Sequence, residues 1–298
     1  MSRLTKAWRS TRFYRSRIAW RLPKLLVIGA QKCGTSALFH YLAQHPRLVP
    51  SIEKEVEFFQ SDLRYGYGME WYANRWPTKV PAGAVRFEAS PAYLATQGAA
   101  ERIRRWLPDV RIVAILRDPV LRAYSAWQMY RQQLADDPEF YRKHWTSRYF
   151  PAEVARIALR TAEELDDFQL AIEREAACLE RGQTMEWSVL ELGLYGPQLK
   201  SYFELFRPEQ LLVLDSNDLR TRRVRTLNRV LAFLGLPESD WVNTDLGDVF
   251  VGKWGAPMSQ RVRDYLSDYY RESNQMLAEM LELPPLFVRE PRDCRASA

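Results

Sequence analysis

Residues 25–38 (Leu-Leu-Val-Ile-Gly-Ala-Gln-Lys-Cys-Gly-Thr-Ser-Ala-Leu) constrain the fold more tightly than any other stretch of the chain. Leu25-Leu26-Val27-Ile28 is a short apolar, partly β-branched run, the pattern of a buried strand. Gly29 and Gly34 bracket a tight loop, and residues 37–42 continue with helical character. A strand, a glycine-bounded loop and a helix N-terminus together form an anion site, because unpaired N–H groups and the helix dipole converge on one point. The spacing nearly matches the nucleotide-binding pattern G-x-x-x-x-G-K-[ST]. The departure is chemical: Thr35 follows the second glycine where lysine belongs, and Lys32 stands two residues before it. The segment predicts a phosphate loop unlike that of an ATPase.

The rest of the chain supplies alternating strands and helices. Strands are predicted at 48–51, 85–88, 111–116 and 211–214. Helices are predicted at 98–107, from 117 onward with Pro119 in the first turn, and at 162–181 with Gly182 as cap. Three more are predicted at 193–206, at 222–234 ended by Gly235, and at 259–283. The pattern predicts an α/β single domain with a mostly parallel central sheet flanked by helices. Its 298 residues suffice for such a core. The expected division is a basic N-terminal arm, 1–24, and one domain, 25–298.

Charge is unevenly placed. The chain carries a net charge of +6, and eight basic residues precede Leu25, whereas the first acidic residue is Glu53. With Trp8, Phe13, Tyr14, Ile18 and Trp20 interleaved, the arm reads either as a basic amphipathic segment for an anionic membrane surface or polyanion, or as a solvated arm. It also has the arginine-rich, acid-poor look of an organelle transit peptide. No apolar run approaches bilayer length. Three scattered cysteines (Cys33, Cys178, Cys294) give neither a disulfide framework nor a C-x-x-C site, and three histidines make a histidine metal centre unexpected.

A second segment strengthens the anion reading. Arg117 and Ser125 follow the apolar run 111–116, and strand C-termini of a parallel sheet share one edge, where ligands collect. An arginine fork and a hydroxyl there suit a phosphate. Taken alone, Arg117-Asp118 reads equally as a local ion pair at a helix start.

The order Gly29-Ala-Gln-Lys-Cys-Gly-Thr-Ser36, Lys54-Glu-Val-Glu-Phe-Phe59, Phe87-Glu-Ala-Ser-Pro-Ala-Tyr93 and Arg117-Asp-Pro-x-x-Arg-Ala-Tyr-Ser125 resembles the sulfotransferases that use 3′-phosphoadenosine 5′-phosphosulfate (PAPS). The likeness is greatest to the carbohydrate branch, which includes heparan sulfate N- and 3-O-sulfotransferases. It is clear from 25 to about 130, with weaker echoes at 193–206 and 211–219. The resemblance implies a donor loop of Gln31, Lys32, Cys33, Gly34, Thr35 and Ser36. Lys32 would neutralise charge on the bridging oxygen, Arg117 and Ser125 would hold the 3′-phosphate, and Glu55 would act as base. Tyr195 and Lys253 fall where the family often places donor contacts. On the residues alone, Glu53, Glu55 and Glu57 read first as the solvent face of a short strand, with Glu57 on the Glu55 side. Glu88 and Ser90 end a strand on the crevice side and, with Glu57, are the candidate acceptor contacts. Cys33, at a helix N-terminus, could have a lowered thiol pKa, although space filling is the simpler role.

Departures from the pattern are as informative. Ala89 stands where 3-O-sulfotransferases carry lysine in Glu-Lys-Ser/Thr-Pro, and Gly252-Lys253-Trp254-Gly255 is a distant equivalent of a C-terminal loop. The Golgi anchor of animal members is not evident, so a soluble, cytoplasmic, bacterial-type enzyme is expected, with peripheral membrane contact through the arm. The expected reaction is sulfuryl transfer from PAPS, leaving 3′-phosphoadenosine 5′-phosphate (PAP), without a metal or nucleic acid. The acceptor is a hydroxyl or amine, a glycan first and a small hydroxylated metabolite or carrier-bound intermediate second. A P-loop nucleotide kinase and a non-catalytic polyanion or membrane adaptor are the readings outside this class.

Overall fold

Burial on both faces of a parallel sheet governs this architecture. The computed structural model describes residues 18–137, 157–158, 160–185, 188–242, 244–250, 258–284 and 287; Lys253 and residues 1–17 of the basic arm lie outside them. Five strands, β1 (Leu25–Gly29), β2 (Leu48–Pro50), β3 (Val85–Ala89), β4 (Arg111–Leu116) and β7 (Leu211–Asp215), form one sheet in the order β2-β3-β1-β4-β7. Every pairing is parallel, with Leu25 opposite Phe87 on one side and Arg111 on the other. Two short strands, β5 (Ile157–Ala158) and β6 (Thr184–Met185), pair separately.

The central strand is apolar on both sides because each side has its own core. Leu25 and Val27 pack with Val113 and Ile115 under α1 (Thr35–Leu42) and α10 (Arg223–Phe233). Leu26 and Ile28 pack with Ile112 and Ala114 under α4 (Ala99–Trp106) and α8 (Tyr195–Leu205). A third cluster joins α5 (Pro119–Asp136) to α7 (Phe168–Glu180) and α11 (Gln260–Tyr269). The remaining helices are α2 (Asp62–Gly66), α3 (Gly68–Ala73), α6 (Ala162–Asp166), α9 (Ser216–Thr221) and α12 (Arg271–Met280).

Two glycines shape the loop after β1. A Cβ on Gly29 would lie 2.6 Å from Leu94 Cβ, so no side chain fits where the chain passes the segment after β3. Gly34 caps α1 at φ +96°, a left-handed conformation that glycine adopts without penalty. Beyond the neighbouring strand β4, the Asp118 carboxylate caps α5, accepting from Val120 N at 2.8 Å and Leu121 N at 3.4 Å, and Pro119 occupies the first turn.

Three expectations are corrected here. The helix predicted at 162–181 is two helices, because the side chain of Asp167 turns back to accept from Gln169 N and Leu170 N. The helix predicted at 259–283 divides at Tyr270, whose buried hydroxyl donates to the Leu190 carbonyl at 3.1 Å. Residues 53–57 form no strand: Glu55 and Glu57 have φ of +65° and +56°, and Glu57 is buried while Glu55 is exposed.

Candidate active site

The C-terminal ends of β1, β4 and β7 open into one cleft of about 2200 Å³, larger than the roughly 300–1,000 Å³ of a single-ligand site. At its floor are Lys32, Gly34, Thr35 and Ser36 from the β1 loop and Arg117 and Ser125 from the start of α5, with Gln31 beside them. The two segments predicted to share an edge therefore share a cavity. Glu55 and Glu57 line the same space.

Lys32 is in the left-handed region at φ +66°, as are Glu55 and Glu57. Non-glycine residues rarely adopt it, and such strain gathers at working sites. Partial burial pushes the Lys32 amine below its ordinary range, and the nearby Arg117 and Arg122 guanidiniums push the same way. The loop thus concentrates positive charge at the floor of the cleft.

Behind the loop lies support. Tyr195 and Cys33 do not line the cleft: both are buried, with Cys33 Sγ 3.3 Å from Tyr195 Oη. The Tyr195 hydroxyl donates to the Arg117 carbonyl at 3.0 Å, so one phenol ties the β1 loop to the β4 end. Burial pushes the Cys33 thiol up, against the lowering that a helix N-terminus alone would suggest. Tyr130 donates to Gln31 Oε1 at 3.0 Å from α5. Arg122 is wholly buried nearby; its Nη2 donates to the Val189 carbonyl, whereas Nε and Nη1 have no hydrogen-bond partner among the described residues. A buried guanidinium with two unused donors is costly unless a neighbouring anion compensates it.

The acidic loop is anchored from beneath by β3. Glu55 N donates to the Ala89 carbonyl at 3.1 Å, Glu57 N to Ser90 Oγ at 3.0 Å and Phe58 N to Tyr93 Oη at 2.9 Å. Ser90 and Tyr93 in turn donate to the buried Glu88 carboxylate at 2.7 and 3.0 Å, joined by Tyr72 at 2.5 Å. Glu88 and Ser90 therefore sit under the cleft rather than in its wall, correcting the expected position. Glu88 is on β3, an inner strand flanked by β2 and β1 and covered on both faces, so its carboxylate is buried.

Burial pushes the Glu88 carboxyl up to about 7, with the three hydroxyl donors opposing the shift. The sign follows from linkage. Below the ordinary 4.5 both folded and unfolded states hold the proton; between 4.5 and about 7 only the folded state does, so stability falls as pH rises through that window. Glu88→Gln is expected to flatten this part of the melting-temperature profile. An unchanged slope would show that Glu88 does not titrate there.

Two further walls lie beyond the motif reading. Ser216, Asn217 and Arg220 line the cleft at the end of β7, following the same strand-end rule that placed Arg117. Arg64, Tyr67, Trp71 and Arg75 line it from the segment after Phe59. Among the described residues no helix is long and apolar enough to cross a membrane.

A glycine-bounded loop opening into a cleft at the strand ends is a setting that suits group transfer. Residues 22–247 match the family model described as a sulfotransferase domain, and the chain belongs to that family and is a transferase enzyme. It is 31% identical to human bifunctional heparan sulfate N-deacetylase/N-sulfotransferase 3 over 88% of this chain and 30% of that one. It is 30% identical to human heparan sulfate glucosamine 3-O-sulfotransferase 5 over 73% of this chain and 54% of that one. The chain thus spans about a third of the first relative's length and about half of the second's. A sulfotransferase from Alicyclobacillus acidocaldarius shares the fold at a TM-score of 0.64 and 24% identity, over 88% of this chain and 97% of that one.

Proposed function

We propose that this sulfotransferase moves a sulfuryl group from PAPS to a hydroxyl or amine of a carbohydrate acceptor. The observation that carries the reading is the meeting, in one cleft, of the β1 loop, the Arg117–Ser125 segment and Glu55. The relatives described above, whose names specify heparan sulfate, support the carbohydrate class.

The chain's own residues divide the work. The amides at the N-terminus of α1, with Thr35 and Ser36, bind the phosphosulfate end. Arg117 and Ser125 bind the 3′-phosphate, and the unused Arg122 donors lend uncompensated positive charge from below. Glu55 takes the proton released as the acceptor oxygen or nitrogen attacks sulfur, and Lys32 neutralises the bridging oxygen as its bond to sulfur breaks. Positioning and charge neutralisation carry such a transfer, as in phosphoryl transfer.

Calorimetry with PAP, ADP and ATP tests this reading. PAP is expected to bind without Mg²⁺ at least about tenfold more tightly than ADP, the cost of losing one bidentate phosphate contact being at least about 1.4 kcal/mol. No PAP binding, or equal binding of ATP with Mg²⁺, would overturn it.

A further inference from the structure

Charge pairing differs between the two ends of the cleft. Among the described residues, Lys32 and Arg117 form no ion pair with a carboxylate, as a site for a polyanionic donor requires. The arm beyond Glu55 is the reverse: each of its cations is matched one to one. Lys54 pairs with Glu55, Arg102 with Asp62, Arg64 Nη2 lies 3.4 Å from Glu57 Oε2, and Arg75 Nη1 lies 3.3 Å from Glu53 Oε1. Among the described residues from Glu53 to Arg75, no cation is without a carboxylate partner. Elsewhere the cleft lining includes the acidic Asp136 and Glu191 and the basic Arg220.

What the arm offers instead is apolar. Tyr67 is 52% exposed and Leu63 48% exposed, and both line the cleft. Trp71 stands beside Tyr67 with ring centroids 5.4 Å apart, and the Arg75 guanidinium lies 4.4 Å from the Trp71 centroid. Arg75 is therefore held by a carboxylate and a ring together, and is not free to reach an anion. Aromatic rings with a balanced rim suit the C–H face of a sugar, with hydroxyls meeting the ion-paired side chains at the edge. A chain of carboxylates or sulfates must break existing pairs or lie against Glu53, Glu55 and Asp62.

We infer that the arm from Glu53 to Arg75 selects an uncharged sugar or comparable polyol, seated on Tyr67 and Trp71, and rejects polyanionic glycans. This rests on the sulfotransferase reading of the cleft and names its acceptor class. It separates the chain from the relatives whose names specify heparan sulfate.

The test uses the full chain with radiolabelled PAPS and two acceptor pools of similar length: neutral oligosaccharides, including N-acetylglucosamine oligomers and maltooligosaccharides, and carboxylated heparosan oligosaccharides. Label is expected in the neutral pool with kcat/KM at least about tenfold above the carboxylated pool. Tyr67→Ala is expected to raise KM for the neutral acceptor by about tenfold while PAP affinity and melting temperature stay unchanged, since this ring is half exposed. The double variant Glu53→Gln with Asp62→Asn frees Arg75 and Arg102 and should bring the carboxylated pool closer to parity. Preference for heparosan, no transfer to any neutral member, or a Tyr67→Ala variant with unchanged KM would overturn the inference. Absence of PAP binding would instead overturn the reading of the donor site, so the two failures are distinguishable.

Discussion

Glu55→Gln is expected to lower kcat by about 10²–10⁴-fold, the usual contribution of a positioned general base, and to leave PAP affinity unchanged. Three observations make this the largest expected effect. The carboxylate lines the cleft shared with the donor loop. Its side chain is 44% exposed, so the variant has little reason to unfold. Its backbone is held in place independently of the carboxylate, by the bond from Glu55 N to the Ala89 carbonyl. Glutamine keeps the shape and an oxygen for Lys54 but cannot take a proton. A rate close to that of the parent enzyme would sink the assignment and transfer attention to Glu57. That residue is expected to behave differently, because it is buried against Arg64 and its loss should lower stability as well as rate.

Lys32→Ala is expected to weaken PAP binding by about tenfold and to cut kcat by a further 10²–10³-fold or so, comparable with removal of one donor from an anion hole. Burial, Arg117 and Arg122 all hold its amine below the ordinary lysine range. A loosened proton is what an acid needs when it meets a departing oxygen. The same environment gives a control that separates chemistry from folding. Because the folded state disfavours the charged amine, stability supplied by this group is negative wherever the unfolded lysine is protonated. The empty variant should melt at the same temperature as the parent or above it. A lowered melting temperature with unaltered transfer would mean that Lys32 is a structural residue. Lys32→Arg is not expected to restore the rate, since a planar guanidinium does not replace a compact ammonium at a crowded loop.

The loop end of the cleft was legible in the sequence because its signals are local. An apolar run, two glycines and a following helix lie within residues 25–42, and the strand-end rule needs only the neighbouring run to place Arg117 and Ser125 on the same edge. The segment from Glu53 to Arg75 is not legible in that way. Its character comes from pairings such as Arg75 with Glu53 and Arg102 with Asp62, which join residues 22 and 40 positions apart. Periodicity along one element says nothing of them. Glu88 shows a different gap: the pattern places it at a strand end, but depth depends on what covers both faces of the sheet. Asp167 shows a third, since helical periodicity runs straight through a residue whose side chain starts a new helix. Arg122 sits in the same motif as Arg117 and Ser125, yet its orientation into the core follows from helix phase relative to α7 and α11, which one segment cannot supply.

The Tyr195 bridge has a consequence for discrimination. A single phenol touches the β1 loop through Cys33 and the β4 end through the Arg117 carbonyl, so the two half-sites cannot drift apart independently. In the proposed reaction they would grip opposite ends of one nucleotide. Their separation then acts as a ruler set before the ligand arrives, and a molecule with a phosphate at only one end spans half of it. Ordering costs that a looser cleft would charge against affinity are met during folding instead. Selectivity for the donor is in this sense a property of the core behind the site as much as of the residues that face it.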